Sequence, residues 1–433
     1  MTRFTRHLGV LSITVLPDIW TSTLPYKFHD TIRLMLDQTF SARSLHRLCS
    51  VSEVVEHKLG STPEQQLSSL STIAEKINSD CFEFSEFKSF QRNGKLVFKP
   101  RKPEDHFAIK KINQNLKKIL GVRHTDRNTL VSQVKTLLEE KSSFILLKID
   151  IASFYESIPS NNLLLECWGD PLLSYKTNVL LDDLLTSSQF VTKPGLPRGL
   201  SISSTLSEFY LASLDEYIKG LEGVYYSARY VDDILVFCVP NQNDVMELIE
   251  SFISDLGLSV NHKKCDKFQN KIGPKPIDFD YLGYRFKKTG DSVEIDISPK
   301  KVKKLKSRIA KSFYAFSKDN NLELLTKRLK FLTGNFNLKS RSKVIGNDLK
   351  TGVYYNYSEI PENSNALKDL DRFLIKLIYS KRGKLGRNLS ALLSGKDKRY
   401  LRKFSFYTGF KERISHKFSY NDVVEIRECW NNG

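Results

Sequence analysis

The chain has 433 residues, of which 40% are hydrophobic and 27% are charged, a balance typical of a soluble globular protein with two or three domains. Lysine and arginine outnumber aspartate and glutamate by 67 to 49, and the resulting net charge of +18 predicts a polyanionic partner, nucleic acid before membrane. A basic surface that is merely solvated stays open as the alternative. We find no apolar run long enough to span a membrane and no signal-peptide cleavage site. The six cysteines are scattered without a CxxC pair, which favours reduced thiols in the cytoplasm over zinc or disulfides.

The first 95 residues are predicted to form a mostly helical extension. Apolar residues recur at helical spacing within Asp30–Leu48, and a polar loop is expected around Gly60–Pro63. This region carries no recognisable chemistry, so we expect a scaffold or an RNA-contacting extension. After it, Leu96–Pro103 has the pattern of a basic strand, and Ile109–Val122 that of a helix with lysines around an apolar face.

Two acidic sites follow apolar runs in the middle of the chain. The run Phe144–Ile149 predicts a buried strand that ends at Asp150. Further on, Asp232 and Asp233 join two apolar runs that predict a hairpin. Carboxylates beside a core are costly because burial disfavours their charged form, and a divalent cation such as Mg²⁺ would offset that cost. A turn that merely favours aspartate is the alternative for the hairpin considered by itself.

The last part of the chain is predicted to be basic and mainly helical. Helices are expected over Ser203–Lys219 and Asp244–Leu256, and a hairpin from Asp280–Phe286 and Ser292–Ile297. A long helix with an apolar stripe is expected over Ser298–Phe316. A cationic face of that long helix would bind phosphates without reading sequence. Residues 376–403 add further basic residues before a group of aromatics, which suits RNA binding or a core. The cationic face of the long helix carries Lys300, Lys304, Arg308 and Lys311.

In combination, these motifs resemble the palm of a reverse transcriptase. Asp150 is followed by Phe154-Tyr155, then by Gly195-Leu196-Pro197-Arg198-Gly199, then by Tyr230-Val231-Asp232-Asp233, and the first and second acidic sites are 82 residues apart. The resemblance implies an α+β right-hand polymerase fold with fingers, a palm that has a small antiparallel sheet, and a helical thumb. It divides the chain into an extension (1–95), fingers and palm (96–297), and a thumb with a basic C-terminal region (298–433).

The resemblance implies an RNA-directed DNA polymerase that uses two Mg²⁺ ions. By similarity, the metal ligands are the carboxylates of Asp150, Asp232 and Asp233 and the carbonyl of Ile151. The two ions would activate a 3′-hydroxyl and stabilise the leaving pyrophosphate in an in-line displacement.

Residues that bind the deoxynucleoside triphosphate also follow from the resemblance. Tyr155 takes the position of an aromatic gate that leaves no room for a 2′-hydroxyl, although either aromatic of the Phe154-Tyr155 pair could instead belong to the core. Arg198 stands where the family usually has glutamine. Lys264 would act as a general acid for pyrophosphate or be a solvated lysine, and Arg127 would bind phosphate or pair locally with Asp126. The full implied set is Ser153 (through its amide), Phe154, Tyr155, Arg123, Arg127, Arg198 and Lys264.

The nucleic acid would be held by glycines as well as by the cationic helix face. Gly195 and Gly199 allow close approach of the backbone to a nucleotide or template. Gly283 lies in the segment that matches the primer grip, which holds the 3′ end over the metals.

The residue sequences of these motifs are most similar to those of bacterial defence-associated (antiphage) reverse transcriptases, the retron and abortive-infection types included. It suggests the smaller subunit of the two-polymerase type 3 system, whose members act with a non-coding RNA template and a second reverse transcriptase. Two alternatives stay open: a retron-like or intron-maturase-like enzyme, and a palm kept as a non-catalytic RNA-binding scaffold.

Overall fold

The computed structural model of the protein describes residues 37–92, 94–122, 125–187, 189–190, 195–240, 244–270, 276–338 and 349–431. The helices are α1 Ala42–Leu48, α2 Val51–Glu56, α3 Pro63–Asn78, α4 Pro103–Ile119, α5 Arg127–Glu139, α6 Phe154–Ser157, α7 Ser160–Gly169, α8 Tyr175–Thr186, α9 Ser201–Tyr210, α10 Ala212–Gly220, α11 Val245–Asp255, α12 Pro299–Asp319, α13 Leu322–Thr333, α14 Val353–Asn356, α15 Asn365–Ile378, α16 Gly383–Leu392, α17 Gly395–Leu401, α18 Phe406–Lys411 and α19 Tyr420–Asn431. The strands are β1 Lys88–Arg92, β2 Lys95–Lys99, β3 Ile145–Asp150, β4 Val224–Tyr230, β5 Asp233–Cys238, β6 Asp266–Gln269, β7 Ile277–Tyr281, β8 Tyr284–Thr289, β9 Ser292–Ile297, β10 Asn335–Leu338, β11 Leu349–Gly352 and β12 Ser415–His416.

A four-stranded antiparallel sheet with the order β4-β5-β3-β6 lies at the centre of the fold. Successive side chains of a strand point to opposite faces, and both faces of this sheet are covered. On β3, Leu147 contributes to one hydrophobic core, whereas its neighbour Leu146 contributes to a second core on the other side. Val236 and Phe237 divide in the same way on β5. Burial on both faces explains why β3 and β5 are continuous apolar runs without polar alternation.

The first core joins the N-terminal helices to the helices on one face of the central sheet. It contains Leu45 and Leu70 from α1 and α3 together with Ile112 from α4. The hairpin of β1 and β2 is paired along its whole length, and the expected boundary between residues 95 and 96 falls inside it. The hairpin belongs to a single unit, so a division at that position would cut through paired backbone.

The second core lies between the other face of the central sheet and the C-terminal helices. The three-stranded sheet β7-β8-β9 and the long helix α12 both contribute to it. On α12, Ile309, Phe313 and Phe316 are buried, as the apolar stripe predicted. Helices combined with small antiparallel sheets give the predicted α+β class.

Two predicted elements are interrupted in the structure. The helix expected after the glycine-rich loop is broken at Leu211 into α9 and α10. The strand expected over Asp280–Phe286 is broken by a two-residue turn, Leu282-Gly283, in which both residues have positive φ. Positive φ at both central positions suits the right-handed twist of a hairpin, so β7 and β8 form one and β9 extends it.

Within the described ranges, no helix combines the length and the apolar character needed to cross a lipid bilayer.

Candidate active site

The β4–β5 hairpin presents its two acids from different positions. Tyr230 pairs with Asp233, so the connecting loop is Val231-Asp232, and Asp233 is the first residue of β5. Val231 has a φ of 62°, which is uncommon for a β-branched residue and must be held by its surroundings. Arg229 supplies part of that support, because its guanidinium donates to the Val231 carbonyl oxygen at 3.3 Å. The hairpin turn is therefore a constrained element and not a solvated loop.

Backbone pairing brings Asp150 to the same edge of the sheet. Asp150 is the last residue of β3 and pairs directly with Asp233 across the β3–β5 ladder. The amide of Ile151 then donates to the carbonyl oxygen of Asp232 at 3.2 Å. Asp150 is only 4% exposed. Residues from two distant segments thus converge, and three carboxylates lie at one edge.

The convergence of these carboxylates has an electrostatic cost. Burial, with the neighbouring charges of Asp232 and Asp150, raises the pKa of Asp233 to about 6. Burial raises the pKa of Asp232 too, and the charge of Asp150 adds to the effect. Both shifts mean that the folded chain disfavours the ionised carboxylates. A positive charge at this edge would offset that cost.

Lys264 already provides one such charge. Its ammonium lies 2.9 Å from each carboxylate oxygen of Asp150, and Asn261 donates its side-chain amide to the same carboxylate at 3.0 Å. The hydrogen bond to Asp150 raises the pKa of Lys264. Lys264 is therefore ion-paired with Asp150, although its side chain is 60% exposed.

In the part of the chain that the structure describes, no group of three or more acidic, histidine or cysteine side chains is arranged to hold a metal ion. One physical reason is that Lys264 contacts both oxygens of Asp150. The donor set itself fits Mg²⁺, which takes hard oxygen ligands. Asp150, Asp232, Asp233 and the carbonyl of Ile151 are the groups that could hold it.

The two aromatics after Asp150 are separated by the structure. Phe154 is 3% exposed and belongs to the first core, so the expectation that it contacts a nucleotide is wrong. Tyr155 is half-buried, its ring lies under the Arg198 guanidinium at 4.9 Å, and its hydroxyl lies near Asp232 and Ser204. Ser153 has a left-handed backbone, with φ of 43°, and begins the short helix α6. Of the two rings, Tyr155 is the one beside the carboxylates.

Arg198 is held by the chain itself. Its guanidinium makes a two-point contact with the carboxylate of Glu156, with both N–O distances 3.1 Å. The backbone of the same loop is tied down too, because Leu196 donates to the Tyr155 carbonyl and the Arg198 carbonyl accepts from Phe98. In this structure Arg198 therefore binds Glu156, the residue after Tyr155.

The glycines of this loop make close approaches to protein backbone. A Cβ on Gly195 would lie 2.3 Å from the Tyr155 carbonyl oxygen, and one on Gly199 would lie 2.6 Å from the Phe98 carbonyl oxygen. Both glycines also have positive φ. The chain's own backbone makes these close approaches, so packing within the fold requires glycine at both positions.

We expect Gly195→Ala to destabilise the folded chain by roughly 3 kcal/mol or more, because overpacking against rigid backbone adds to a left-handed backbone strain. Chemical denaturation would measure the loss. Gly169→Ala is the matched control, since a Cβ there meets nothing within 4 Å. Equal stability of the two variants would contradict the close packing of this loop on the Tyr155 carbonyl.

Arg127 does not serve the site in the way expected. Its guanidinium donates to the carbonyl oxygens of Leu282 and Asn356, both at 2.7 Å, and lies 4.8 Å from the ring centroid of Tyr284. The expected local pair with Asp126 is absent as well, because that carboxylate caps α5 through the amide of Thr129. Both expectations are corrected, since Arg127 ties the β7–β8 turn to α14. Arg123 lies outside the described residues.

The basic residues of α12 lie along the helix beside the β7–β8 turn. A Cβ on Gly283, in that turn, would lie 2.9 Å from the side chain of Lys301. Lys300 and Lys304 are exposed, whereas Arg308 and Lys311 are half-buried. Among the described residues, none of these four predicted phosphate ligands has an ion-pair partner.

The aromatics that follow residues 376–403 pack mainly inside. Phe406 and Phe410 are buried in the second core, and Phe404 and Tyr407 pack against it. The alternative of a core is therefore correct for them.

Comparison with known proteins identifies one domain. Residues 103–286 match the family model described as reverse transcriptase (RNA-dependent DNA polymerase). Among solved structures, the chain is similar to apo telomerase from Candida tropicalis truncated from its C-terminal domain, with 14% identity and a TM-score of 0.36. That similarity covers 49% of this chain and 54% of the telomerase chain, about half of each. No curated protein matches significantly. Residues 103–286, less than half of the chain, are thus similar to reverse transcriptases, and the helices and small antiparallel sheets of the structure agree with an α+β polymerase fold.

Proposed function

We propose that the protein is an RNA-directed DNA polymerase whose catalytic centre comprises Asp150, Asp232 and Asp233. The observation that carries the proposal is the convergence of these three carboxylates at one sheet edge, inside the segment that matches reverse transcriptases. The raised pKa of Asp232 and of Asp233 supports a cationic ligand there. Template, cofactor and biological role are parts of the same proposal.

Two Mg²⁺ ions are the proposed cofactor, held by the three carboxylates and by the Ile151 carbonyl. When bound, they supply activation of the primer 3′-hydroxyl and stabilisation of the pyrophosphate leaving group. Lys264 lies beside Asp150 with a protonated ammonium, so it can give a proton to pyrophosphate once its contact with Asp150 is released.

Tyr155 is the proposed sugar gate, and Arg198 positions it. The Arg198 guanidinium covers the Tyr155 ring while its two hydrogen bonds to Glu156 fix its own orientation. A ring held from above cannot swing away from an incoming 2′-hydroxyl. We propose further that the amide of Ser153 contacts the triphosphate.

The template–primer duplex would lie along α12. Its four basic residues would contact phosphates without reading sequence, and the turn at Gly283 would position the primer end. We propose that the β1–β2 hairpin and the residues from it to 297 act as fingers and palm, and that residues 298–433 act as thumb and basic region.

The biological role that we propose is the copying of a dedicated non-coding RNA in cytoplasmic bacterial antiphage defence, together with a second reverse transcriptase. The proposed role is supported by the residue sequences of the motifs Ser153–Ile158 and Gly195–Glu208, which are similar to those of defence-associated enzymes.

The test is DNA synthesis by the purified full chain on its co-purifying RNA, supplied with Mg²⁺ and labelled deoxynucleotides. We expect labelled DNA complementary to one enriched RNA, and no product when a chelator removes Mg²⁺. A defined RNA template with an annealed DNA primer is the control that separates polymerase activity from template choice. An enriched RNA with no synthesis on either template, even after the second polymerase is added, would favour the scaffold function.

A further inference from the structure

Two adjacent cavities lie where α12 and α19 meet strands β10 and β11, and none of the three carboxylates lines either cavity. The larger has a volume of about 310 Å³, at the lower end of the range for small-molecule pockets. The smaller has a volume of about 200 Å³. The two cavities share the side chains of Arg308, Arg427 and Trp430. Aromatic rings form much of the larger cavity's wall: Phe331, Phe336, Tyr357, Phe406 and Trp430.

The smaller cavity is lined almost entirely by cations. No aspartate or glutamate lines either cavity. Burial and the neighbouring charge of Arg427 lower the pKa of Arg308, which means that the positive charges repel one another. In the described part of the chain, none of these cations forms an ion pair. A bound anion would offset the repulsion. The cations are Arg92, Lys304, Arg308, Lys311 and Arg427.

The junction between the cavities is rigid. The indole nitrogen of Trp430 donates to the Arg308 carbonyl oxygen and to the Ser312 hydroxyl, both at 3.1 Å. The Arg308 guanidinium lies 5.3 Å from the Trp430 ring centroid, and Phe331 lies 5.6 Å from it on the side of the larger cavity. A ring and a guanidinium fixed in advance reduce the entropy cost of binding a ligand.

The larger cavity is aromatic and the smaller cavity beside it is cationic, which together is the composition of a nucleotide site. Bases stack on aromatic rings regardless of sequence, whereas guanidinium and ammonium groups bind phosphate oxygens. Thr351 and Asn356 add hydrogen-bonding groups to the larger cavity. We propose that these cavities bind one nucleotide unit, with its base in the larger, aromatic cavity and its phosphate in the smaller, cationic cavity. The unit is either a free nucleotide or the 5′-phosphorylated end of a bound strand. This site shares no residue with the three carboxylates of the proposed polymerase centre, whereas its Lys304, Arg308 and Lys311 are also among the residues proposed to contact the duplex phosphates.

The test uses Trp430 as a reporter of base stacking. The chain has three tryptophans, so the full-length Trp20→Phe, Trp168→Phe variant leaves Trp430 as the only one. Thymidine monophosphate and a short 5′-phosphorylated oligothymidylate are titrated against its fluorescence without divalent cations. We expect saturable quenching, and Arg427→Ala in this background should weaken binding about ten- to a hundredfold, as loss of a charge-assisted hydrogen bond implies. Arg372→Ala, at an exposed arginine on α15, is the matched control and should leave binding unchanged.

The results of this titration either overturn the proposal or show whether the ligand is a free nucleotide or a strand end. Equal affinity for the mononucleotide and the oligonucleotide assigns the site to a free nucleotide. Much tighter binding of the oligonucleotide that is lost without its 5′-phosphate assigns it to a strand end. No quenching by either ligand, or quenching that Arg427→Ala leaves unchanged, would overturn the proposal. An oligoglutamate peptide that binds as tightly as thymidine monophosphate would also overturn it and assign the cavities to an acidic peptide.

Discussion

Replacing Asp232 and Asp233 together by alanine is expected to reduce DNA synthesis by at least about a thousandfold, because most of the proposed metal-binding charge is removed. The folded chain should survive the change. Asp233 has a pKa raised by burial to about 6, so its contribution to stability is present below its usual pKa and is lost as the pH rises through about 6. At neutral pH the ionised pair therefore destabilises the fold, and the variant should melt at the same temperature as the parent chain or higher.

The adjacent acids Asp182 and Asp183 on α8 offer a matched control for this prediction. Asp182→Ala with Asp183→Ala removes the same charge from a helix surface away from the site. Primer extension and thermal melting, measured on both double variants and on the parent chain, separate chemistry from folding. Synthesis that persists in the Asp232, Asp233 variant would remove these residues from the catalytic centre.

Replacing Tyr155 by alanine should admit ribonucleotides. The ring is half-buried beside Asp232 and is covered by Arg198, so it presents a fixed wall and its removal opens a volume sufficient for a 2′-hydroxyl. We expect the preference for deoxynucleotides, expressed as the ratio of kcat/KM values, to fall by roughly two orders of magnitude, since the discrimination is steric. Competition between labelled ribonucleotides and deoxynucleotides during primer extension would measure it.

Tyr175→Ala is the control for the gate, because that ring is among the most exposed in the described chain. The two variants should differ in sugar selection while making similar amounts of DNA from deoxynucleotides. If Tyr155→Ala discriminates against ribonucleotides as strongly as the parent chain does, the gate lies elsewhere. Arg198 keeps both hydrogen bonds to Glu156 in this variant, so the loop should stay in place.

Local pattern was sufficient to predict the elements that carry the carboxylates. Continuous apolar runs predicted β3 and β5, and adjacent acids between two runs predicted the hairpin turn. The pairing of Asp150 with Asp233 is different, because no feature of either segment specifies the other as its partner. That convergence was expected only from the resemblance of the ordered motifs to a known palm.

The contacts of the long charged side chains could not be predicted. Arg198 and Glu156 are 42 residues apart, and each could have reached solvent or another partner equally well. Arg127 was assigned to phosphate from the resemblance and its charge, whereas its partners are backbone carbonyls, which leave no mark on the sequence. The helix break at Leu211 involves neither glycine nor proline and was missed for the same reason. Tertiary contacts decide such cases.

The position of Arg127 has a consequence for biosynthesis. One of its carbonyl partners is 155 residues later in the chain and the other is 229 residues later. At typical translation rates of about 5–20 residues per second, the second partner is made roughly 10 to 45 s after the arginine. Before Leu282 is made Arg127 has neither of these two acceptors, and before Asn356 is made it has only one. Arg127 can therefore link the β7–β8 turn to α14 only after Asn356 has been synthesised. This contact forms late in the maturation of the chain.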